Sequence, residues 1–361
     1  MQKEYLFPCE QCGAKLKFSV ATGELTCPYC THINHVERAF TQVVEKDYEK
    51  ALNTLEHLPQ QPSALSSTKC PSCAATFELQ ENIHASLCPF CGSAIVNEVA
   101  RYRPIKPQAL LPFAISKDEA RAIFKEWLKS HWFAPNKLQH YGAEDSTLKG
   151  VYIPYWTYDA STLSRYSGRR GTLYYETQHY RVNINGRSQM RSRQVQHIRW
   201  TPVSGSVDQL FDDVLVMASE SLHYALLEWD LEHLVNYDAS FLSGYESEVY
   251  SIDLERGLER AKATMQYRIR AAIKRQIGGD RQEITGLQTS YSDITFKHIL
   301  LPVYASAFTF NNKVYSYVIN GRNGAISGER PYSVVKIAAA VLSVVLIVAT
   351  ALYYANEQGL L

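Results

Sequence analysis

All eight cysteines of the 361-residue chain fall into four Cys-x-x-Cys pairs: Cys9 with Cys12, Cys27 with Cys30, Cys70 with Cys73, and Cys88 with Cys91. Fourteen residues separate the two pairs within each half, and the second half repeats the first at an offset of 61 positions. A Cys-x-x-Cys turn sets two thiolates on one side of a tight knuckle, and a second knuckle supplies the remaining corners of a tetrahedron around Zn2+. The spacing predicts two zinc ribbons holding two structural Zn2+ ions, and no thiol is left over as a nucleophile. Disulfides and redox-active pairs are the rival chemistry, and both the spacing and a reducing compartment argue against them. His32 and His35 stand near Cys30, but four cysteines complete the shell, so both are expected as loop residues.

The elements that must position these sulfurs are short. Leu16, Phe18 and Val20 alternate with polar residues ahead of Thr22-Gly23, and Leu25 follows, which reads as a small hairpin. Phe77 and Leu79 play the same part in the second copy. Pro28 and Pro89 stiffen two knuckles, while Gly13 and Gly92 permit a left-handed turn just after a cysteine. Charge bears on what the ribbons do. Met1 to Thr31 carries three lysines and three glutamates, and Thr68 to Glu98 carries one lysine against three glutamates, before four thiolates outweigh each dication. Phosphate-tracking surfaces need the opposite sign, so partner docking or a structural role is favoured over direct nucleic-acid reading.

At the other end, Val334 to Tyr354 is apolar except for Lys336, Ser343 and Thr350. At about 1.5 Å per residue it reaches roughly 31 Å, the thickness of a bilayer core. Lys336 is expected to snorkel, with Tyr332 and the Tyr353-Tyr354 pair at the two interfaces. Arg322, Arg330 and Lys336 precede the span and no lysine or arginine follows it, which places the N-terminal bulk in the cytoplasm and the chain in the inner membrane as a single-pass, tail-anchored protein. Met1 to Phe7 has no apolar run of the kind a secretory signal requires.

Between these ends the reading is an α+β architecture. Its parts are zinc ribbon 1 over 1–35, a helical linker over 36–68, zinc ribbon 2 over 69–98, a mixed body over 103–330 and a transmembrane helix over 334–354. Apolar residues from Val36 to Leu58 have helical spacing, and Pro59 to Thr68 reads as linker. Ser116-Lys117-Asp118-Glu119 is a capping box, and further helices are expected over Ala218 to Leu234 and Leu254 to Ile277. Strands are expected over Val151 to Asp159, Leu173 to Ile184, Arg187 to Val203, Ile294 to Phe310 and Val314 to Ile319, with Asn185-Gly186 and Asn320-Gly321 as hairpin turns. Ile153-Pro154-Tyr155-Trp156 and Leu301-Pro302-Val303-Tyr304 echo one another weakly.

Lysine plus arginine is 37 against 36 acids, so any electrostatic function must be local. From Arg165 to Arg199 there are eight arginines and one glutamate, interleaved with tyrosines; Thr201 to Glu255 carries twelve acids and no lysine or arginine; Arg256 to Arg281 returns to eight bases and two acids. Arg187, Arg191, Arg193 and Arg199 share parity, so a strand presents them on one face, toward anionic lipid, nucleic acid or an acidic partner. Alternatively, these blocks neutralise each other across a sheet. No phosphate loop, G-x-S-x-G, H-E-x-x-H or G-x-G-x-x-G occurs. Asp159, Asp212, Asp213 and His179 are the only scattered candidates for an active site, and the chain reads as a non-enzyme.

The cysteine pattern, Tyr152-Ile153-Pro154-Tyr155-Trp156-Thr157-Tyr158-Asp159-Ala160, Phe211-Asp212-Asp213-Val214-Leu215-Val216, Ile294 to Pro302 and Gly328-Glu329-Arg330-Pro331-Tyr332-Ser333 together resemble bacterial zinc-ribbon single-pass membrane proteins, over essentially the whole chain. Such proteins carry labels such as primosomal protein N-prime (replication factor Y) helicase-like, or TFIIB-type zinc ribbon. This chain departs from a helicase in lacking the nucleotide loop. Topology and chemistry lead to a non-enzymatic membrane-anchored scaffold whose ribbons recruit a cytoplasmic protein partner while the body presents a charged surface near the bilayer, and the resemblance implies a link to membrane stress factors; a nucleic-acid-associated role without a motor, through the arginine and tyrosine strands, is the alternative.

Overall fold

The structure, a computed structural model, describes residues 8–14, 16–35, 43–57, 66–69, 75–79, 85–87, 94–96, 105–135, 148–184, 187–220, 228–311 and 313–357. Near the N-terminus β1 (Lys17–Ser19), β2 (Glu24–Thr26) and β3 (Ile33–Asn34) form a three-stranded antiparallel sheet. The β1–β2 reversal is the hairpin expected at Thr22-Gly23, with Gly23 at φ 68°. Next come β4 (Lys46–Asp47) and α1 (Tyr48–His57), then β5 (Ser66–Lys69) paired with β6 (Thr76–Leu79), and β7 (Ala85–Leu87) paired with β8 (Ala94–Val96). The helix expected from Val36 to Leu58 is therefore shorter. Residues 36–42 lie outside the described set, and Lys46 and Asp47 pair with a body strand at Phe296 and Thr295 instead of winding into a helix. Thr68, expected in linker, belongs to β5.

The body is built from β9 (Ala109–Leu110), α2 (Lys117–Ser130), β10 (Lys149–Ile184), β11 (Arg187–Met217), β12 (Val235–Asn236), β13 (Glu246–Ser247), α3 (Leu254–Ile277), β14 (Arg281–Phe310), β15 (Lys313–Asn320) and β16 (Ile326–Gly328). The sheet runs β11-β10-β14-β15-β16, with β4, β9, β12 and β13 attached off this path. Each expected strand is present, but β10, β11 and β14 are far longer, at 36, 31 and 30 residues. At about 3.3 Å per residue β10 spans roughly 120 Å, several times the usual strand. The echoing Pro-aromatic segments are cross-strand neighbours: Tyr152 pairs with Pro302 and Pro154 with Leu300.

Local chemistry sets the helix ends. The Ser116 capping box forms as expected: Glu119 N donates to Ser116 Oγ at 3.2 Å, and Ser116 N donates to Glu119 Oε2 at 2.7 Å. Asp253 caps α3 by accepting from Arg256 N at 2.8 Å, and Gly278 ends it at φ 66°. Along α3, Leu254, Leu258, Ala261, Met265, Ile269, Ile273 and Ile277 keep helical spacing and bury against the sheet over Trp156, Tyr158, Tyr166 and Phe296. Gly257 lets α3 approach closely, since a Cβ there would collide with the Tyr158 hydroxyl.

Of the helix expected over Ala218 to Leu234, residues 221–227 lie outside the described set; the described residues on either side are not α-helical, with only a 3-10 turn at Leu231–His233. Tertiary partners outcompete helical propensity here. Arg322 engages both carboxylate oxygens of Asp230, and Asn320 Nδ2 donates to Glu228 O at 2.7 Å. Asn320-Gly321 is also not a two-residue turn: β15 and β16 are joined across 321–325, and the left-handed position falls on Gly324 at φ 75°.

The last helix, α4 (Val334–Glu357), carries a 21-residue stretch, Val334–Tyr354, of mean hydropathy 2.5 with none of it buried, long and apolar enough to cross a membrane. Lys336 differs from expectation. Its Nζ donates to the carbonyls of Trp132 (3.0 Å) and Ala134 (2.8 Å), the loop after α2, so the lysine ties helix to body.

Candidate metal centre and arginine arm

Cys9, Cys12, Cys27 and Cys30 converge, with all four sulfurs within 4.8 Å of one another and closest approaches of 3.5 Å for Cys9–Cys30 and for Cys12–Cys27. Four sulfurs at about 2.3 Å from a tetrahedral ion stand about 3.8 Å apart, so this cluster has the dimensions of a metal site. The knuckles hold it: Gly13, at φ 71°, donates its amide to Cys9 O at 2.8 Å, and Thr31 N donates to Cys27 O at 3.1 Å. The Cys30 amide, donating to Cys27 Sγ, brings that thiol down to about 6. Cys30 moves the other way, to about 12. The His32 amide favours its thiolate, but burial and the neighbouring sulfurs outweigh that help. Four adjacent thiols cannot all ionise unaided, and a bound cation removes the conflict. These four residues are positioned for metal binding; His32 and His35 are outside the cluster, where they face Glu10 and Glu24.

This unit is packed into the body. Cys9, Cys27, Leu16, Phe18 and Leu25 share one buried cluster with Phe124 of α2 and with Tyr152, Tyr304 and Tyr317 of the sheet. Phe18 N donates to Ser243 O at 2.9 Å, Ser243 Oγ donates to Leu16 O at 2.6 Å, and the Phe18 and Phe241 rings lie 5.0 Å apart. Sequence spacing gave the ligands but no sign of this docking. The alternation of Leu16 and Phe18 was its only trace.

Cys70, Cys73, Cys88 and Cys91 lie outside the described residues. The strands around them keep the repeat in part: Phe77 and Leu79, expected to take the place of the first hairpin strand, pair with Thr68 and Ser66 of β5 instead of with β7, whereas the next pairing is preserved. Leu25↔Asn34 and Thr26↔Ile33 in the first copy become Ser86↔Ile95 and Leu87↔Ala94 in the second, each shifted by the same 61 positions.

The four arginines singled out by parity sit on the second feature, an arm. From Ala160 to Gly168 burial alternates strictly, because α3 covers one face of β10. Cover ends together on every side. α3 stops at Ile277, whose carbonyl accepts from Arg170 Nε; β14 begins at Arg281 opposite Gly171; and Asp280 accepts from Leu173 N at 2.8 Å. Beyond this point β10 and β11 continue as a two-stranded ribbon, paired to Ile184↔Arg187, with its side chains largely exposed. Asn185 and Gly186 lie outside the described residues.

Pairing of Thr172 with Arg199, Gln178 with Arg193 and Tyr180 with Arg191 puts the arginines on one face, with Tyr174 and Tyr180 between them. Arg199 lies 5.3 Å over the Tyr174 ring and Arg193 lies 5.6 Å over Tyr180. The one acid of the block, Glu176, faces His197 at 3.5 Å. Directly opposite, these arginines pair with uncharged residues, Thr172, Gln178, Tyr180 and Ile184, and none of the described residues of the acidic stretch after Thr201 is a register partner of theirs.

All three candidate acids are drawn into a different cluster. Asp212 and Asp213 together oppose Asp159 at a β-bulge, with Asp213 at φ 48°, and Asp213 N donates to Asp159 Oδ1 at 2.6 Å. Lys297, nearly buried, pairs with Asp213 (2.7 Å) and Glu45 (2.9 Å), and Thr295 donates to Asp159 and Glu45. Burial, with Glu45 nearby, lifts the Asp159 carboxyl to about 6. His179 is not brought to it: twenty residues of extended strand, roughly 66 Å, intervene. Through Glu45, just ahead of β4, Lys297 and Thr295 tie this segment to the bulged sheet, beside the backbone pairing of β4 with β14. His298, buried beside Trp156 and Tyr250, holds Ile105 O at 2.6 Å from Nδ1, and burial drives it down to about 4.

Together these features define a mixed α+β protein with a four-cysteine cluster and one helix of membrane-spanning length. Against known proteins, the chain is 23% identical over 336 residues to YdjG of Bacillus subtilis (strain 168), an uncharacterized protein, with 92% of each chain covered. No family model matches the chain, and no solved structure matches it.

Proposed function

We propose that this chain is a non-enzymatic, membrane-anchored adaptor whose folded bulk faces the cytoplasm and recruits an acidic protein partner through the arm. The observation that carries the reading is the arm itself: Arg193 and Arg199 lie over tyrosines on one exposed face, and Glu176, which faces His197, is the only acid among the described residues of the ribbon. Most of the arm's positive charge is left for a counter-charge from outside. The anchor is α4, and Arg322 and Arg330 before it with Lys336 in its first turn, against no base in residues 355–361, favour the cytoplasmic orientation. A reducing cytoplasm keeps thiolates for metal, and a tetrahedral four-thiolate set suits Zn2+. Two zinc ribbons follow from the duplication, and the first acts as a structural staple rather than as the recruiting surface, since it is packed against α2 and the sheet. The sequence resemblance adds a membrane stress response as the setting.

The test is affinity purification from solubilised membranes with the full chain and with Arg187, Arg191, Arg193 and Arg199 all changed to Gln. The reading expects the variant to reach the membrane and lose its partners; identical partners for both chains would sink it. A second reading is favoured by one observation, the tyrosines spaced beneath the arginines, which suit stacking of nucleic-acid bases. Binding of single-stranded RNA or DNA that weakens steeply with salt, and is lost in the same variant, would decide for it.

A further inference from the structure

The base of α4 holds cations and aromatics that neither the metal centre nor the arm uses. A cleft of about 500 Å³ is lined by Lys313, Tyr315, Arg330 and Tyr332, with Glu329 as its one acid. A second, of about 410 Å³, shares Tyr315, Pro331 and Tyr332 with it and reaches Val334, the first residue of α4. Each cation is set on a ring: Lys313 Nζ lies 5.2 Å from the Tyr315 centroid, and the Arg330 guanidinium lies 5.5 Å from that of Tyr332. A guanidinium whose charge rests over a ring face, with no carboxylate partner, keeps N–H donors for an oxyanion.

The loop after α2 completes this face. Ser333 N donates to Phe133 O at 2.7 Å, and Lys336 Nζ holds the carbonyls on either side of Phe133, so the loop is tied to the first turn of α4. Trp132 is 77% exposed, Phe133 42% and Tyr332 58%. Nothing among the described residues covers these rings. A helix entering a bilayer at Val334 would bring all three to the headgroup level, where amphipathic rings are favoured.

We propose that this face is a lipid seat: the joined clefts take the phosphate of an anionic phospholipid through Lys313 and Arg330, while Trp132 and Phe133 enter the interface beside it. The proposal rests on the reading that α4 spans a bilayer. Continuity with Val334 selects a lipid phosphate over a free one, because the cleft opens where the span begins. Lys336, held by two carbonyls, fixes the loop and leaves headgroup contact to the two cleft cations.

The experiment uses the full chain reconstituted in phosphatidylcholine vesicles doped with an equal fraction of acyl-brominated phosphatidylcholine or phosphatidylglycerol. Tryptophan quenching is compared between wild type and Trp132→Phe, which isolates the Trp132 signal. The seat predicts strong quenching of that signal, and more by brominated phosphatidylglycerol, with local enrichment on the order of tenfold for two cations near the surface. Lys313→Gln with Arg330→Gln should abolish the excess while the chain still floats with the vesicles. A floating chain with no Trp132 quenching, with no preference for the anionic lipid, or with a preference that survives the double variant overturns the seat alone. A chain that fails to float overturns the anchor reading and the seat with it.

Discussion

Strands β10 and β11 meet two fates along their length. Over Ala160 to Gly168 the ribbon is roofed by α3 and flanked by β14, and its sequence obeys the demands of a half-buried sheet, with Tyr166 and Phe211 under the helix. Past Gly171 the same strands carry Arg, Tyr and Gln on an open ribbon. Hydrogen bonding between the strands is continuous across the boundary, so backbone pairing is not what separates the halves. The difference is burial: one half stabilises the molecule, and the other presents charge. An isolated two-stranded hairpin is marginal in water. The arm is held by the body and gives little stability in return.

The largest expected effect lies under the roof. Trp156→Ala removes a fully buried ring whose Nε1 donates to Ile252 O at 2.9 Å. It should cost about 3–5 kcal/mol in denaturant unfolding of the full chain in detergent. Tyr174→Ala on the arm should stay within about 0.5 kcal/mol; equal losses at the two sites would erase the distinction. Next comes the four-cysteine unit. Because Cys9 and Cys27 bury with Phe124 and Tyr317, Cys9→Ser with Cys27→Ser, or chelation, should lower the melting point of the body itself. The expected fall is roughly 5 °C or more, each kcal/mol being worth about 2–4 °C at this size. An unchanged body transition would mean the unit is an independent appendage. Gly257→Ala, which drives a methyl into the hydrogen-bonded Tyr158 hydroxyl, should cost about 1–3 kcal/mol, measured the same way.

Acidity gives a smaller effect with a definite sign. Asp159 titrates near 6, above its unfolded value, so its protonation favours the fold below that pH and the contribution is lost as pH rises through about 6. His298, near 4, has the opposite sign: stability is lost as pH falls from its ordinary 6.5 toward 4, because the unfolded chain takes up the proton first. The two offset one another in the window between. Asp159→Asn removes one side of the balance and should steepen the loss of melting temperature on acidification; a shallower slope would refute the assignment. The smallest effect on stability should be the fourfold arginine-to-glutamine variant of the arm, within about 2 °C of wild type by melting.

Legibility in the sequence followed the same division. The first four-cysteine cluster, the Ser116 cap, α3 and the long apolar helix α4 were readable because each depends on residues close together in the chain. The arginine face was readable too, since strand parity is a local rule. The true lengths of β10, β11 and β14 were not. β10 and β11 run through Ser161, Ser204-Gly205-Ser206 and Asp212-Asp213, residues of poor strand propensity that cross-strand pairing keeps extended, with β10 paired on both sides and β11 on one. The described C-terminal end of the helix expected at Ala218 to Leu234 departs from it for the same kind of reason, as Arg322 and Asn320, some ninety residues away, claim Asp230 and Glu228. Docking of the four-cysteine unit was invisible because Phe18 meets Phe241 only in three dimensions.

The measurement that tests the account most directly is to trim the arm. Leu173 and Ile198 are cross-strand partners, so an Asn-Gly turn can join them in place of residues 174–197. The account predicts that the trimmed full-length chain reaches the membrane, melts within about 2 °C of wild type, and brings down none of the partners that copurify with the intact chain. A trimmed chain that unfolds, or that folds and keeps the same partners, would contradict it.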